Sequence, residues 1–208
     1  MEPFVTVGGV AAPLYQDNIS TDALIPSRLI TSIARTGYGP KLLGNDRYLP
    51  DGREDPAYVL NRPEYRESCI LIAGANFGCG SSREMAVWAV KQFGFRCIIA
   101  PSFAPIFRQN CLRNGVLPVT FPATLVQQLA EIAARQPSGW NVDLRDCIVT
   151  APGGNRYPFD IDGDERQQLL LGLDPIGQTL AQANRINAFV DADRKLRPWI
   201  WISRKEKR

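Results

Sequence analysis

Cys69-Ile70-Leu71-Ile72-Ala73-Gly74-Ala75-Asn76-Phe77-Gly78-Cys79-Gly80-Ser81-Ser82-Arg83-Glu84-Met85-Ala86-Val87-Trp88-Ala89-Val90-Lys91-Gln92-Phe93 contains three kinds of local pattern in twenty-five residues. Residues 69–73 are an unbroken apolar run, the signature of a strand buried on both faces. Residues 74–81 hold three glycines and break any periodicity. From 82 to 93 the pattern becomes helical: Met85, Trp88, Ala89 and the Gln92-Phe93 pair recur along one face and read as core positions. The same alternation continues with a strand at 96–100, a helix at 103–113 and a strand at 116–119. Gly94 and Gly115 stand where the two helices must stop. Strand, helix, strand, helix, strand predicts an α/β fold with layered helices and sheet.

The glycine-rich turn carries chemistry. Glycine lets backbone approach a ligand closely. The first turn of the following helix presents free N–H groups and a partial positive charge, which suit an anion. Ser81, Ser82 and Arg83 stand at that point: two hydroxyls and a guanidinium, a set able to hold a carboxylate with a serine beside it. Ser81-x-x-Glu84 also fits a capping box, in which the serine and glutamate only satisfy backbone N–H groups at the helix start. The spacing alone allows both readings.

Outside this region, residues 4–30 read as a strand, a polar turn at Gln16-Asp17-Asn18 and a short apolar segment. Residues 35–67 are interrupted throughout by glycine and proline and predict a long irregular loop, either a functional lid or a surface insertion. A helix is expected at 124–135. A hairpin is expected from 140–150 to 155–160 around Pro152-Gly153-Gly154, and a second helix at 164–172 with Leu169, Leu170 and Leu171 partly buried. The reading is one domain over 1–198. An aromatic cluster, Trp199-Ile200-Trp201, and a basic tail, Ser203 to Arg208, follow it over 199–208.

Composition excludes several function classes. With no histidine among 208 residues, neither a Ser-His-Asp nor a Cys-His site can be built from this chain. The net charge of +3 is small and scattered, which argues against nucleic-acid binding. Five cysteines, with no Cys-x-x-Cys pair, argue against a disulfide framework and against a zinc or iron–sulfur site held by this chain alone. Cys69 and Cys97 fall in strand-like runs and read as core residues. No apolar stretch reaches membrane-spanning length, and no secretory signal opens the chain, so the expected location is cytoplasmic. Gly-Lys-Ser/Thr is absent after Gly74, and Gly78-x-Gly80 lacks a third glycine. Neither a P-loop nor a dinucleotide fingerprint is present.

Asn76 to Glu84 resembles the signature of the small subunits of 3-isopropylmalate dehydratase, which are similar to the swivelling domain of aconitase. The resemblance continues through Phe93 to Ala104, Ile106-Phe107 and Asn114 to Val119. Upstream it includes Asn18 to Pro26 and Arg35 to Gly39, and downstream Gly172 to Leu180, in the family's order. It implies an aconitase-type swivelling β/β/α domain. It also implies a hydro-lyase that isomerises 2- and 3-isopropylmalate by removing and re-adding water in leucine biosynthesis, active only with a large subunit. The resemblance places a 4Fe-4S cluster on that partner and none on this chain.

Residue by residue, Ser81 resembles the family's catalytic base, Ser82 and Arg83 its carboxylate-binding residues, and Arg35 a further substrate-binding arginine. Asp22 resembles a residue that orients these groups. Two positions, and the less typical stretch from Phe159 to Gln168, depart from the family pattern. Met85 replaces a usual histidine, and Ser20 replaces the first acid of the N-terminal motif. The departures leave citramalate or another 2-substituted malate open as substrate. A carboxylate- or phosphate-binding module without chemistry is the competing reading.

Overall fold

The computed structural model describes residues 1–31 and 34–201. Strand β1 (Thr6–Leu14) organises the sheet. Its C-terminal half pairs in parallel with β2 (Ser68–Ala73), from Ala11 opposite Ile70 to Leu14 opposite Ala73. Its N-terminal half pairs antiparallel with β5 (Trp140–Asp143), Thr6 opposite Asp143 and Gly9 opposite Trp140. A register shift between Val10 and Ala11 separates the halves. On the parallel side, β3 (Cys97–Ala100) and β4 (Leu117–Thr120) complete the sheet. On the antiparallel side, β6 (Ile148–Thr150) and β7 (Arg156–Pro158) do so. The order is β4-β3-β2-β1-β5-β6-β7.

Alternating side chains of the parallel strands feed two cores, as the unbroken apolar runs require. Leu71, Ala73, Ile98 and Ala100 join a core with Leu24 of α1 (Thr21–Leu24), Val87 and Val90 of α2 (Glu84–Phe93), and Phe107 and Cys111 of α3 (Pro105–Asn114). Ile70, Ile72, Cys97 and Ile99 join the other core. There they meet Val126, Leu129 and Ala133 of α4 (Ala123–Arg135), Trp140, and Leu169 of α5 (Gly163–Leu171). Gly94 and Gly115 end α2 and α3 with positive φ, as their positions foretold. Of the three leucines in α5, Leu169 is buried and Leu171 is exposed.

Two expectations need correction. The segment 140–150 is not one strand of a hairpin but two, β5 and β6. The Asp143 carboxylate accepts the N–H groups of Arg145 and Asp146 at 2.7 and 3.0 Å, and so forms an Asx turn in the middle of the segment. With β7 beyond Pro152-Gly153-Gly154, the result is a three-stranded meander. The loop 35–67 is irregular, as expected, with short 3-10 turns at Gly39–Lys41, Val59–Asn61 and Pro63–Tyr65. It is not a surface insertion, because Leu42, Leu43, Leu60 and Tyr65 belong to the first core. Arg47 pins it from inside at 4% exposure. The guanidinium donates to Asn61 Oδ1 (2.9 Å) and the Leu42 carbonyl (3.3 Å) and lies 4.8 Å from the Phe93 ring centroid. A buried charge is tolerated only with such partners.

Cys97 and Cys111 are fully buried, and burial pushes both thiols up from their ordinary value. Cys69, half-buried, is also pushed up by burial. Because the thiolate is the reactive form, a disulfide reagent added to the native protein at neutral pH is expected to leave Cys97 and Cys111 unlabelled. All five cysteines should react once the chain is unfolded. Mass mapping of the labelled sites checks this, and native labelling of Cys97 or Cys111 would contradict it.

The chain forms two compact units, Met1–Gly172 and the segment from Leu173 onward. In the second, α6 (Pro175–Ala181) is capped by Asp174, whose carboxylate accepts the Gly177 N–H. α7 (Ala183–Leu196) follows, then the turn Pro198–Trp201. The indole N–H of Trp201 and the guanidinium of Arg197 hold the Asp193 carboxyl below the usual carboxylate range. The expected boundary at 198/199 falls inside this unit, and the basic tail lies outside the described residues.

Candidate active site

In open α/β sheets, ligand sites form beyond the carboxyl ends of parallel strands. Here the segments leaving β1, β2 and β3 interlock at that edge. Gly74 N–H donates to the Gln16 carbonyl (3.1 Å), Ala75 N–H to the Asp17 carboxylate (2.6 Å) and Asn18 N–H to the Ala75 carbonyl (2.8 Å). Asn18 and Asn76 both adopt positive φ, which asparagine tolerates, and Asn76 Nδ2 donates to Asn18 Oδ1 at 2.9 Å. From the third segment, Ser102 accepts the N–H groups of Asn76 and Phe77. Gly78 N–H then bonds the Ile19 carbonyl and Thr21 N–H the Cys79 carbonyl, both at 2.8 Å. Every turn of the glycine-rich loop is therefore fixed from outside itself.

Gly78 sits where only glycine fits. Its φ is +75°, and a Cβ there would lie 2.1 Å from Cγ of Phe107. This contact draws the loop down onto α3. Beyond it, Thr21 Oγ1 donates to the Ser81 carbonyl at 2.8 Å and sets the serine's main chain.

Ser81, Ser82 and Arg83 line one pocket of about 130 Å³, with Thr21 beside them and the first turn of α3, from Ala104 to Phe107, as the opposite wall. The capping-box alternative does not hold. The N-cap of α2 is Arg83, which makes no capping bond, and Glu84 is the first helical residue. The Glu84 carboxylate turns aside to accept Asn114 Nδ2 at 3.0 Å. Both serine side chains are exposed, and among the described residues neither hydroxyl has a hydrogen-bond partner.

Arg83 is held in place rather than free to swing. One terminal nitrogen donates to the Asp22 carboxylate and lies 3.5 Å from the Ile25 carbonyl. Its other terminal nitrogen and Nε have no partner among the described residues. Asp22 stands in the first turn of α1, which Ser20 caps by accepting Ala23 N–H at 3.1 Å. A serine caps as an aspartate would, which gives the Ser20 departure a structural use. Met85 packs against the first core.

Arg35 is placed elsewhere. It is exposed, outside the pocket lining, with its guanidinium carbon 5.5 Å from the Trp88 ring centroid. Sequence reasoning missed Thr21, the asparagine pair and the wall from α3. The positive-φ preference of asparagine was the one available signal. The Cys79 thiol donates to the Asn18 carbonyl at 3.4 Å. Among the described residues, no three His, Cys, Asp or Glu side chains converge as metal ligands. No helix among them is long and apolar enough to cross a membrane.

Residues 1–124 match the family model described as the aconitase C-terminal domain. Over 96% of its length the chain is 53% identical to the 3-isopropylmalate dehydratase small subunit of Cupriavidus necator, covering 98% of that protein. It is 47% identical to the small subunit from Paramagnetospirillum magneticum, covering all of it. In fold it is similar to the solved 3-isopropylmalate dehydratase structure from Methanocaldococcus jannaschii. The TM-score is 0.64 at 24% identity, over 86% of this chain and 99% of that one. Aconitase-type fold, interlocked serine loop and near-full-length similarity agree: the chain belongs to the 3-isopropylmalate dehydratase small-subunit family.

Proposed function

We propose that this chain works with a large subunit to interconvert 2- and 3-isopropylmalate, and that it supplies the base and a carboxylate clamp. The observation that carries the reading is the unpartnered Ser81 and Ser82 hydroxyls beside the pre-positioned Arg83. The free edge of the Arg83 guanidinium receives one substrate carboxylate while Asp22 orients the other edge. A planar fork matches a carboxylate at two points. Ser82 adds a hydroxyl to that carboxylate.

Ser81 Oγ then takes the proton from the carbon next to it. The C–H electron pair forms the C=C bond as the neighbouring C–O bond breaks and the hydroxyl leaves with that bond's electrons as hydroxide. Hydration of the alkene at the other carbon, with Ser81 returning its proton, completes the isomerisation. A serine alkoxide is too basic to persist in water. The cost falls when substrate excludes water and when the Arg83 guanidinium faces the developing charge. The 4Fe-4S cluster belongs to the large subunit in this reading and supplies the Lewis acidity that helps the hydroxyl depart. The location is the cytoplasm, which suits five unpaired cysteines.

The assembled pair is expected to turn over 3-isopropylmalate with a higher kcat/KM than citramalate, read from alkene absorbance under anaerobic conditions. The reverse order would reassign the substrate. A complex that acts on no 2-substituted malate would leave a carboxylate-binding module. Arg83→Lys is expected to raise KM about 10- to 100-fold, because an ammonium cannot reproduce the fork. An unchanged KM would remove Arg83 from the clamp.

A further inference from the structure

Arg35 stands on a segment whose geometry is set by α2. The Gln92 side chain spans that segment: Nε2 donates to the Arg35 carbonyl at 2.6 Å, and Oε1 accepts the Tyr38 N–H at 2.8 Å. Gly39 approaches so closely that a Cβ there would lie 2.6 Å from the Gln92 carbonyl oxygen. The Arg35 guanidinium lies over the Trp88 indole, and the Tyr38 ring packs on the same indole with 5.7 Å between centroids. Trp88 and Gln92 are four residues apart and share a helix face. The indole is itself fixed, since its N–H donates to Asn114 Oδ1 at 3.2 Å and Asn114 donates back to Glu84 in the first turn of α2.

We infer that Gln92 and Trp88 are positioning residues for Arg35, so that α2 spaces two arginines: Arg83 at its start and Arg35 along its flank. Gln92 clamps the backbone and Trp88 carries the guanidinium. A rigid helix between the two cationic groups fixes their separation. The inference rests on the substrate-binding role that the family resemblance implies for Arg35, which lies outside the lining of the Ser81 pocket.

The test uses the assembled enzyme. Gln92→Met keeps side-chain length while removing both hydrogen bonds. It is expected to raise KM about 10-fold with kcat within about two-fold of wild type. Gln92→Glu keeps the acceptor for Tyr38 N–H and should lose less. Arg35→Ala should also raise KM, and adding Gln92→Met to it should change nothing further, because no arginine remains to be misplaced. Tryptic cleavage after Arg35 should speed up in Gln92→Met, a readout independent of turnover. An unchanged KM in Arg35→Ala would remove the premise and the inference with it. A KM rise in Arg35→Ala but not in Gln92→Met would overturn the positioning role alone. So would a Gln92→Met effect that persists in the Arg35→Ala background.

Discussion

Ser81→Ala in the assembled enzyme is expected to lower kcat by about a thousand-fold, the usual scale for losing a positioned general base. Assembly and stability should not change. The hydroxyl has no partner among the described residues, it does not cap α2, and the side chain is exposed. Removing such a group typically alters stability by no more than about 0.5 kcal/mol. What fixes the residue is its main chain, through Thr21 Oγ1 and the Ser81 carbonyl, and alanine preserves that bond. KM should move little, because carboxylate binding belongs to Arg83 and Ser82. Turnover and thermal unfolding of the same preparation therefore separate a chemical role from a structural one. A kcat within about ten-fold of wild type would remove Ser81 from the base role, since that loss falls below the general-base range.

Gly78→Ala is expected to act through the opposite route, on the fold first and the chemistry second. The added methyl meets the Phe107 ring at 2.1 Å in a core position and forces an alanine into φ +75°. Overpacking and a left-handed non-glycine residue together cost about 2–4 kcal/mol. For a chain of this size that lowers Tm by on the order of 10 °C. The loop also carries Ser81 three residues later, so activity should fall below what the remaining folded fraction explains. Differential scanning calorimetry of the isolated chain reads the first effect. A Tm shift under about 2 °C would show that the loop and α3 can separate freely, contrary to the packing described.

The sequence made legible what depends on near neighbours. Apolar runs gave β2, β3 and β4, and glycines marked the ends of α2 and α3. Unbroken hydrophobicity in 69–73 announced a strand covered on both faces. The serine–arginine cluster was visible as chemistry, but its competing role as a cap was not excluded by spacing. Only the position of the first helical residue, Glu84, settles that. Contacts between distant residues stayed hidden. Thr21 meets the Ser81 carbonyl across sixty residues, and periodicity carries no record of such a bond. An arginine is usually at the surface, whereas Arg47 is buried with Asn61, the Leu42 carbonyl, Glu54 and the rings of Tyr48 and Phe93 around its guanidinium. Asp143 escaped notice because Trp140, Val142 and Leu144 alternate with Asn141, Asp143 and Arg145, so a turn-forming carboxylate sits where a strand's solvent-facing polar residue would. Trp88 reads as core by its helical spacing. It does pack on the first core, yet it also faces Arg35.

Complementation tests whether this chain supplies half of a divided active site. The chain and its large subunit are purified separately under anaerobic conditions, then assayed alone and mixed, following alkene absorbance from 3-isopropylmalate. Activity should be absent from each alone, should rise on mixing to a plateau at a fixed ratio, and should be about a thousand-fold lower when the added chain carries Ser81→Ala. Turnover by the large subunit alone at the rate of the mixture, or by a mixture containing Ser81→Ala at within about ten-fold of the wild-type mixture, would contradict it.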